Sequence, residues 1–72
     1  MTTVDKALSL LDYFSNEQTE IGLSAFARLS GYDKSAALRL LSALRRAGFV
    51  EQNTQSRRYR LGGAFLRFAR WR

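Results

Sequence analysis

The apolar residues of this 72-residue chain recur every three or four positions in three separate segments. That spacing matches one face of an α-helix, and it predicts helices over residues 4–14, 25–30 and 34–47. Small polar residues and glycines mark the ends of these segments. The predicted start caps are Thr2 or Thr3, Ser24 and Asp33, and the predicted terminators are Gly31 and Gly48. The first two thirds of the chain is therefore expected to form three short helices.

The first helix has more apolar residues than a single stripe requires. Its predicted inward stripe consists of Val4, Ala7, Leu8, Leu11 and Phe14. Leu10 flanks this stripe and Tyr13 lies off it, which indicates a second, partly apolar side that could contact another chain. For Tyr13 the alternative is that the ring covers a loop of its own domain.

The last third of the chain changes from helical to strand composition. Residues 49–53 ("FVEQN") and 58–62 ("RYRLG") are predicted strands, joined by the polar turn "TQSR", with Tyr59 and Leu61 on one side and Arg58 and Arg60 on the other. Ile21 to Leu23 is a very short extended piece. Residues 63–72 ("GAFLRFARWR") return to helical spacing. The predicted fold is mainly α with a small β-hairpin wing.

The second and third helices are predicted to cross steeply through a tight turn. Ala27 and Gly31 are small residues four positions apart, and Ala37 and Leu40 can face them from the third helix. Small side chains at a crossing and a glycine in the turn are typical of a helix-turn-helix.

The third helix is predicted to have two unlike sides. Ala37, Leu40, Leu41 and Leu44 form its inward stripe, and its opposite side carries Ser35, Arg39, Ser42 and Arg46. A helix that enters the major groove of DNA needs such short polar and cationic groups on its outer side, mostly in its N-terminal half. Lys34 and the free amides of the first turn are placed to hold phosphate, whereas Arg46 is better placed for backbone than for bases. Leu38 is left open between a thymine-methyl contact and the core.

Charge is distributed unevenly along the chain, which has a formal charge of +6. Residues 1–33 contain two basic and five acidic residues, a net charge of −3, whereas residues 34–72 contain ten basic residues and one acidic residue, a net charge of +9. This asymmetry favours a polyanionic partner. Arg57, Arg58 and Arg60 of the hairpin are expected to lie over the minor groove or the DNA backbone.

Composition argues against catalysis. The chain contains no histidine and no cysteine, so the common metal ligands, nucleophiles and proton shuttles are missing. A chain of this length buries only roughly 60% of its unfolded surface, which disfavours a deep pocket. We expect no enzyme activity, no metal and no cofactor. No signal peptide or membrane span is recognisable, so the default compartment is the cytosol.

The segments "ALSLLDYFS", "IGLSAFARLSGYDKSAALRLLSALRRAGFVEQ" and "RYRLGG" resemble the N-terminal winged helix-turn-helix domain of IclR-type bacterial transcriptional regulators. The resemblance implies a three-helix core in residues 1–62, a linker helix starting in residues 63–72, and operator binding as a homodimer. It places the recognition residues at Lys34, Ser35, Ala36, Leu38 and Arg39. Ser24, Ser42, Arg46 and the three hairpin arginines complete the expected DNA-binding set.

The chain departs from the family pattern in three ways. Asp33 stands where proline is common, and Arg57 stands where a glycine often turns the wing. The larger effector-binding domain of such regulators has no counterpart in these 72 residues, so we expect either a DNA-binding fragment or a short relative, without effector sensing of its own.

Two other functions fit parts of the sequence. One is a winged-helix protein-interaction module that contacts no nucleic acid, because a fold alone does not decide function. The other is membrane-surface binding through "AFLRFARWR", which we disfavour. Leu10, Tyr13, Phe65, Phe68 and Trp71 are the candidates for dimer or linker contacts.

Overall fold

The computed structural model describes residues 1–71, and they form four α-helices and one β-hairpin. In chain order the elements are α1 (Thr3–Ser9), a short 3₁₀ helix (Leu10–Tyr13), α2 (Leu23–Ser30), α3 (Lys34–Arg46), β1 (Val50–Gln52), β2 (Tyr59–Leu61) and α4 (Ala64–Arg70). The three-helix core, the wing and the closing helix of the predicted fold are confirmed.

The inward stripe of α3 supplies four of the ten buried apolar residues among residues 1–71. Ala37, Leu40, Leu41 and Leu44 are all buried, as the helical spacing predicts. They share this core with Leu10, Ile21, Phe26, Val50 and Tyr59. Because the 3₁₀ helix, α2 and both strands contribute buried side chains to this core, the orientation of α3 is fixed by contacts across the domain and not by its own helical propensity.

Both ends of α3 are closed by the residues that the sequence indicates. The Asp33 carboxylate accepts a hydrogen bond from the Ala36 backbone N–H at 2.8 Å. At the other end Gly48 takes a left-handed φ of 85°, and its N–H donates to the Arg45 carbonyl. The Phe49 N–H donates to the Leu44 carbonyl at 2.9 Å, which folds the chain back over the last turn of the helix.

The predicted inward stripe of the first helix is wrong at two positions. Val4 and Leu8 are 66% and 46% exposed, whereas Leu10 is fully buried. Ala7, Leu10, Leu11 and Phe14 pack on the core at helical spacing, so the buried side is rotated away from Val4 and Leu8. The α-helix ends at Ser9 and continues as the 3₁₀ helix. Its start is as predicted, because the Thr2 hydroxyl accepts from the Asp5 N–H and the Asp5 carboxylate accepts from the Thr2 N–H.

The second helix starts earlier than predicted. Its N-cap is Gly22 and its first residue is Leu23, so Ser24 lies within the first turn and is not the cap. Two backbone hydrogen bonds between Ile21 and Tyr59 end the extended segment directly before Gly22, which leaves no room for a later start. The C-terminal end is as predicted, with Gly31 at a left-handed φ of 81°.

The wing is a two-stranded antiparallel hairpin, with Val50 opposite Leu61 and Gln52 opposite Tyr59. The strands are each three residues long, shorter than the five-residue segments predicted. Tyr59 is buried against Phe26, but Leu61, predicted on the same side, is 48% exposed although its cross-strand partner Val50 is buried. The extended residue Ile21 forms an isolated antiparallel bridge with Tyr59, next to the two-stranded hairpin.

The closing helix α4 packs against the end of α3 through an aromatic group. The Phe49 ring lies 5.4 Å from the Phe65 ring and 6.1 Å from the Phe68 ring, measured between centroids. Ala64 is fully buried, and its N–H donates to the Gly48 carbonyl at 3.1 Å. The backbone of Gly62 passes so close to Gly48 that a side chain cannot fit there.

Candidate nucleic-acid interface

The outer side of α3 is open to solvent. Lys34, Ser35 and Arg39 are exposed near its start, Ser42 is half-buried, and Arg46 is exposed in its last turn. Leu38 is 45% exposed, so the core alternative for this residue is wrong. The helix carries four basic and no acidic residues over about 20 Å of length. We call its exposed side the α3 face.

The turn of the wing is held by backbone and side-chain hydrogen bonds. The Asn53 side-chain oxygen accepts from the N–H groups of Gln55 and Ser56, and the Ser56 hydroxyl accepts from the Arg58 N–H. Arg57 itself adopts a left-handed φ of 65° at the position where the family often has glycine. The turn therefore keeps a glycine-like backbone and adds a cationic side chain, with Arg58 exposed beside it.

A cleft of about 440 Å³ joins the α3 face to the wing. On the helix side it is lined by Leu38, Ser42 and Arg45, and on the wing side by Gln52, Ser56, Arg57 and Arg58. Ser24 reaches the same cleft from the first turn of α2. The structure thus brings residues from all three predicted DNA-binding segments onto one surface.

Arg39 lies on the other flank of the α3 face. It borders a shallow hollow together with Lys6 from α1 and Tyr32 from the turn before α3, and the partly buried Ala36 lines the same hollow. The Lys6 ammonium lies 5.7 Å from the centroid of the Tyr32 ring. Lys6 was not expected near this surface, because its contribution depends on how α1 crosses α3.

Arg60 is separated from the other wing arginines. Its Nε donates to the Glu51 carboxylate at 3.2 Å across the hairpin, and it borders a hollow with Phe14 and Thr19 and not the cleft beside α3. The predicted grouping of Arg58 and Arg60 on one side of the strand is therefore wrong: β2 begins at Tyr59, so Arg58 belongs to the turn and the alternation along the strand does not extend to it. The structure does not bring Arg60 together with Arg57 and Arg58.

Arg45 and Gln52 are cleft residues that the sequence analysis missed and that contact each other. Arg45 Nη1 donates to Gln52 Oε1 at 2.9 Å, and Gln52 Nε2 donates to the Arg57 carbonyl at 2.9 Å. The spacing of Leu38, Ser42 and Arg45 along one flank of α3 was a usable signal for Arg45. Nothing in the sequence pattern marks Gln52, because its partners depend on the hairpin's position against the helix.

The candidate dimer or linker contacts divide into two groups. For Leu10 the assignment is wrong, because this side chain is fully buried in the domain's own core. Tyr13 is half-buried, stacks edge-on against Phe26, and donates its hydroxyl to the Leu29 carbonyl at 3.1 Å, so it covers α2 and not a loop. Phe65, Phe68 and Trp71 are 39%, 48% and 78% exposed and remain available.

Across residues 1–71, no three histidine, cysteine or acidic residues are grouped as a metal site would require. None of the helices described is both long and apolar enough to cross a bilayer. The carboxyl group of Asp5 has a lowered pKa, because the Thr2 backbone N–H and hydroxyl donate hydrogen bonds to it.

Comparison with known proteins places this geometry in a family. The model of the IclR helix-turn-helix domain matches residues 3–54, from the start of α1 into the wing. The chain belongs to the IclR family. It is 37% identical over 60 residues to the HTH-type transcriptional regulator XynR of Escherichia coli K12, covering 83% of this chain and 24% of that protein. It is 35% identical over 65 residues to the glycerol operon regulatory protein of Streptomyces coelicolor, covering 90% of this chain and 26% of that protein.

The fold of this IclR-family chain also matches solved structures. A putative IclR transcriptional regulator from Silicibacter sp. TM1040 superposes with a TM-score of 0.92 at 54% identity, covering 99% of this chain and 27% of that one. The chain therefore spans about a quarter of the length of the relatives it matches. Its fold and its relatives are those of helix-turn-helix regulators and not of enzymes, which confirms the expectation from composition.

Proposed function

We propose that this IclR-family domain binds double-stranded operator DNA sequence-specifically and thereby regulates transcription. The observation that carries the proposal is the joining of the α3 face to the wing around one cationic cleft. An α-helix is about as wide as the major groove, and polar groups on its outer side can reach base edges. Such a role would place the protein in the bacterial cytoplasm.

The proposed docking puts residues 34–47 in the major groove and the wing, residues 49–61, on the adjacent minor groove or backbone. Ser35, Arg39 and Leu38 are the proposed base contacts, with Ala36 close to the base edges. Lys34, Ser42, Arg46 and Ser24 are proposed to hold phosphates. Ser35, Leu38 and Arg39 are exposed, which supports their assignment as base contacts, since a buried side chain could not reach a duplex.

The wing arginines have separate proposed roles. Arg57 and Arg58 border the cleft beside α3, which supports a contact with the minor groove or the flanking backbone. Arg60 is paired with Glu51 on the other side of the hairpin, so any contribution from it would be a long-range one to the positive potential.

We further propose that the regulator binds as a homodimer and that α4 begins the linker helix of residues 63–72. The exposed Phe65, Phe68 and Trp71 support a protein contact on this helix. A dimer should then bind two half-sites about one helical turn apart, or a multiple of that spacing. Any small-molecule effector would act through a domain outside these 72 residues.

Selection of bound duplexes from a random pool, at two salt concentrations, tests the proposal. A recurrent sequence should emerge, and the logarithm of the association constant should fall with the logarithm of salt by about 0.9 for each phosphate neutralised. Replacing Arg58 by Ala should reduce that slope by about 1 without changing the selected sequence.

The same exposed aromatic residues of α4 favour one competing function, a winged-helix module that binds protein and not DNA. No enrichment of any duplex at either salt concentration would favour that function over DNA binding. Selection of single half-sites in place of paired half-sites by the Phe65→Ser and Phe68→Ser variant would instead assign these aromatic side chains to the dimer contact.

A further inference from the structure

We infer that Gln52 is a positioning residue that couples the recognition helix to the tip of the wing. Its side-chain amide makes two hydrogen bonds of 2.9 Å, accepting from Arg45 on α3 and donating to the carbonyl of Arg57 in the turn. The inference rests on the proposed function, because it assigns the spacing between the two DNA-binding elements to this one side chain.

The geometry explains why an amide is suited to this position. One end of the Gln52 side chain must accept from a guanidinium and the other must donate to a carbonyl, and a neutral amide presents one of each. Asp and Glu carboxylates lack the donor, and an ammonium lacks the acceptor. Gln52 is half-buried between the helix and the hairpin, so its amide has fewer competing water contacts than an exposed one.

The hydrogen bond from Gln52 is accepted by the carbonyl of Arg57, the residue of the wing with a left-handed φ. Arg57 has a φ of 65°, which costs a residue with a Cβ atom free energy relative to the right-handed region. Its N–H donates to the Asn53 carbonyl at 2.8 Å and its carbonyl accepts from Gln52. These two bonds stabilise the turn that directs the Arg57 and Arg58 side chains along the cleft.

The hydrogen bond between Arg45 and Gln52 holds the Arg45 side chain of α3 against the wing. Arg45 is exposed in the last turn of α3, where a long side chain would otherwise sample many rotamers. Held by Gln52, its guanidinium borders the cleft along with Arg57. Loss of Arg45 should therefore weaken DNA binding in two ways, by removing one cation and by releasing the wing tip.

The first test is made on the free protein. In Gln52→Ala, the heteronuclear NOE values of the Gln55 and Ser56 amides should fall, because the tip loses its link to the helix. Gln55→Ala is the matched control, since the Gln55 side chain makes no hydrogen bond within residues 1–71. Equal values in the wild type and Gln52→Ala would overturn the inference, whatever the protein binds.

The second test is a double-mutant cycle on the highest-affinity duplex from the selection, with Arg45→Ala and Arg57→Gly. Glycine at 57 accepts the left-handed φ and retains the carbonyl that Gln52 binds, while it removes the cationic side chain. With Gln52 present, the double variant should lose less affinity than the product of the two single losses, by about threefold or more. In the Gln52→Ala background the two losses should multiply.

The outcomes separate the two proposals. If no duplex is selected, the DNA-binding function fails, and the free-protein measurement still decides the role of Gln52. If Arg45→Ala and Arg57→Gly weaken binding and multiply in both backgrounds, DNA binding stands and the coupling fails. Gln52→Glu should lose the hydrogen bond to the Arg57 carbonyl and keep the one from Arg45, so the wing tip should become mobile. Gln55→Glu is the control for the added negative charge near DNA.

Discussion

Gly62 is the position where the packing of the wing against the rest of the domain can be tested by a single methyl group. A Cβ atom at Gly62 would lie 2.3 Å from the Gly48 carbonyl oxygen and 3.0 Å from the Gly48 carbonyl carbon, where ordinary contacts begin at 3.4 Å. The obstructing atoms are backbone, so no side-chain rotation can relieve the overlap. The Gly62 N–H also donates to the Phe49 carbonyl at 2.8 Å, which holds the two segments together.

We expect Gly62→Ala to lower the free energy of unfolding by about 3 kcal/mol, the upper end of the range for overpacking. A domain of this size has a total stability of only about 4 to 11 kcal/mol, so the loss is a large fraction of it. The corresponding fall in melting temperature is about 12 to 24 °C. Thermal unfolding followed by circular dichroism at 222 nm measures it.

Gly63→Ala is the matched control, because nothing lies within 4 Å of a Cβ atom there and its φ is −71°. This neighbour should be unchanged or more stable by about 0.4 to 1 kcal/mol, since alanine restricts the unfolded chain. Melting temperatures of the two variants within about 3 °C of each other would refute the close approach of Gly62 to Gly48.

Three further changes test the core, a helix cap and a titrating group. Leu41→Ala should lower the free energy of unfolding by about 2 to 5 kcal/mol, because this side chain is fully buried. Urea unfolding measures the change, and a loss below about 1 kcal/mol would contradict the burial. Asp33→Ala should cost about 1 kcal/mol through loss of the 2.8 Å bond to the Ala36 N–H, whereas Asp33→Asn should retain most of the stability. The lowered pKa of Asp5 means that its carboxylate stabilises the folded state above the ordinary carboxyl pKa, and that this contribution is lost as pH falls through the lowered value. Melting temperatures measured from pH 6 downwards should therefore fall less steeply in Asp5→Asn than in the wild type, and parallel curves would contradict the assignment.

The sequence was sufficient for those parts of the domain that local chemistry determines. The inward stripe of α3 follows from helical spacing, and its ends follow from Asp33 and Gly48, whose side-chain and backbone properties act within a few residues. The open α3 face follows from the same periodicity. These features do not depend on how distant segments meet.

The errors arose where a distant contact decides the local structure. The packing of the first helix against α3 buried Leu10 and left Val4 and Leu8 outside. Pairing of Ile21 with Tyr59, which are 38 positions apart in the chain, fixed the start of α2 before Ser24. The Arg45 and Gln52 pair likewise depends on how the hairpin meets α3, which no local pattern specifies.

Arg39 is the residue that tests most directly whether the α3 face reads base pairs. We propose to measure dissociation constants of the wild type and Arg39→Ala for the selected duplex and for a scrambled duplex of equal length and composition. Arg28→Ala, an exposed arginine of α2 outside the α3 face and the wing, controls for the loss of one positive charge.

We expect Arg39→Ala to reduce the ratio of scrambled to selected dissociation constants by about 5- to 150-fold, the equivalent of about 1 to 3 kcal/mol of discrimination. Arg28→Ala should leave the ratio within about twofold of the wild type. Equal weakening of both duplexes by Arg39→Ala would contradict the claim.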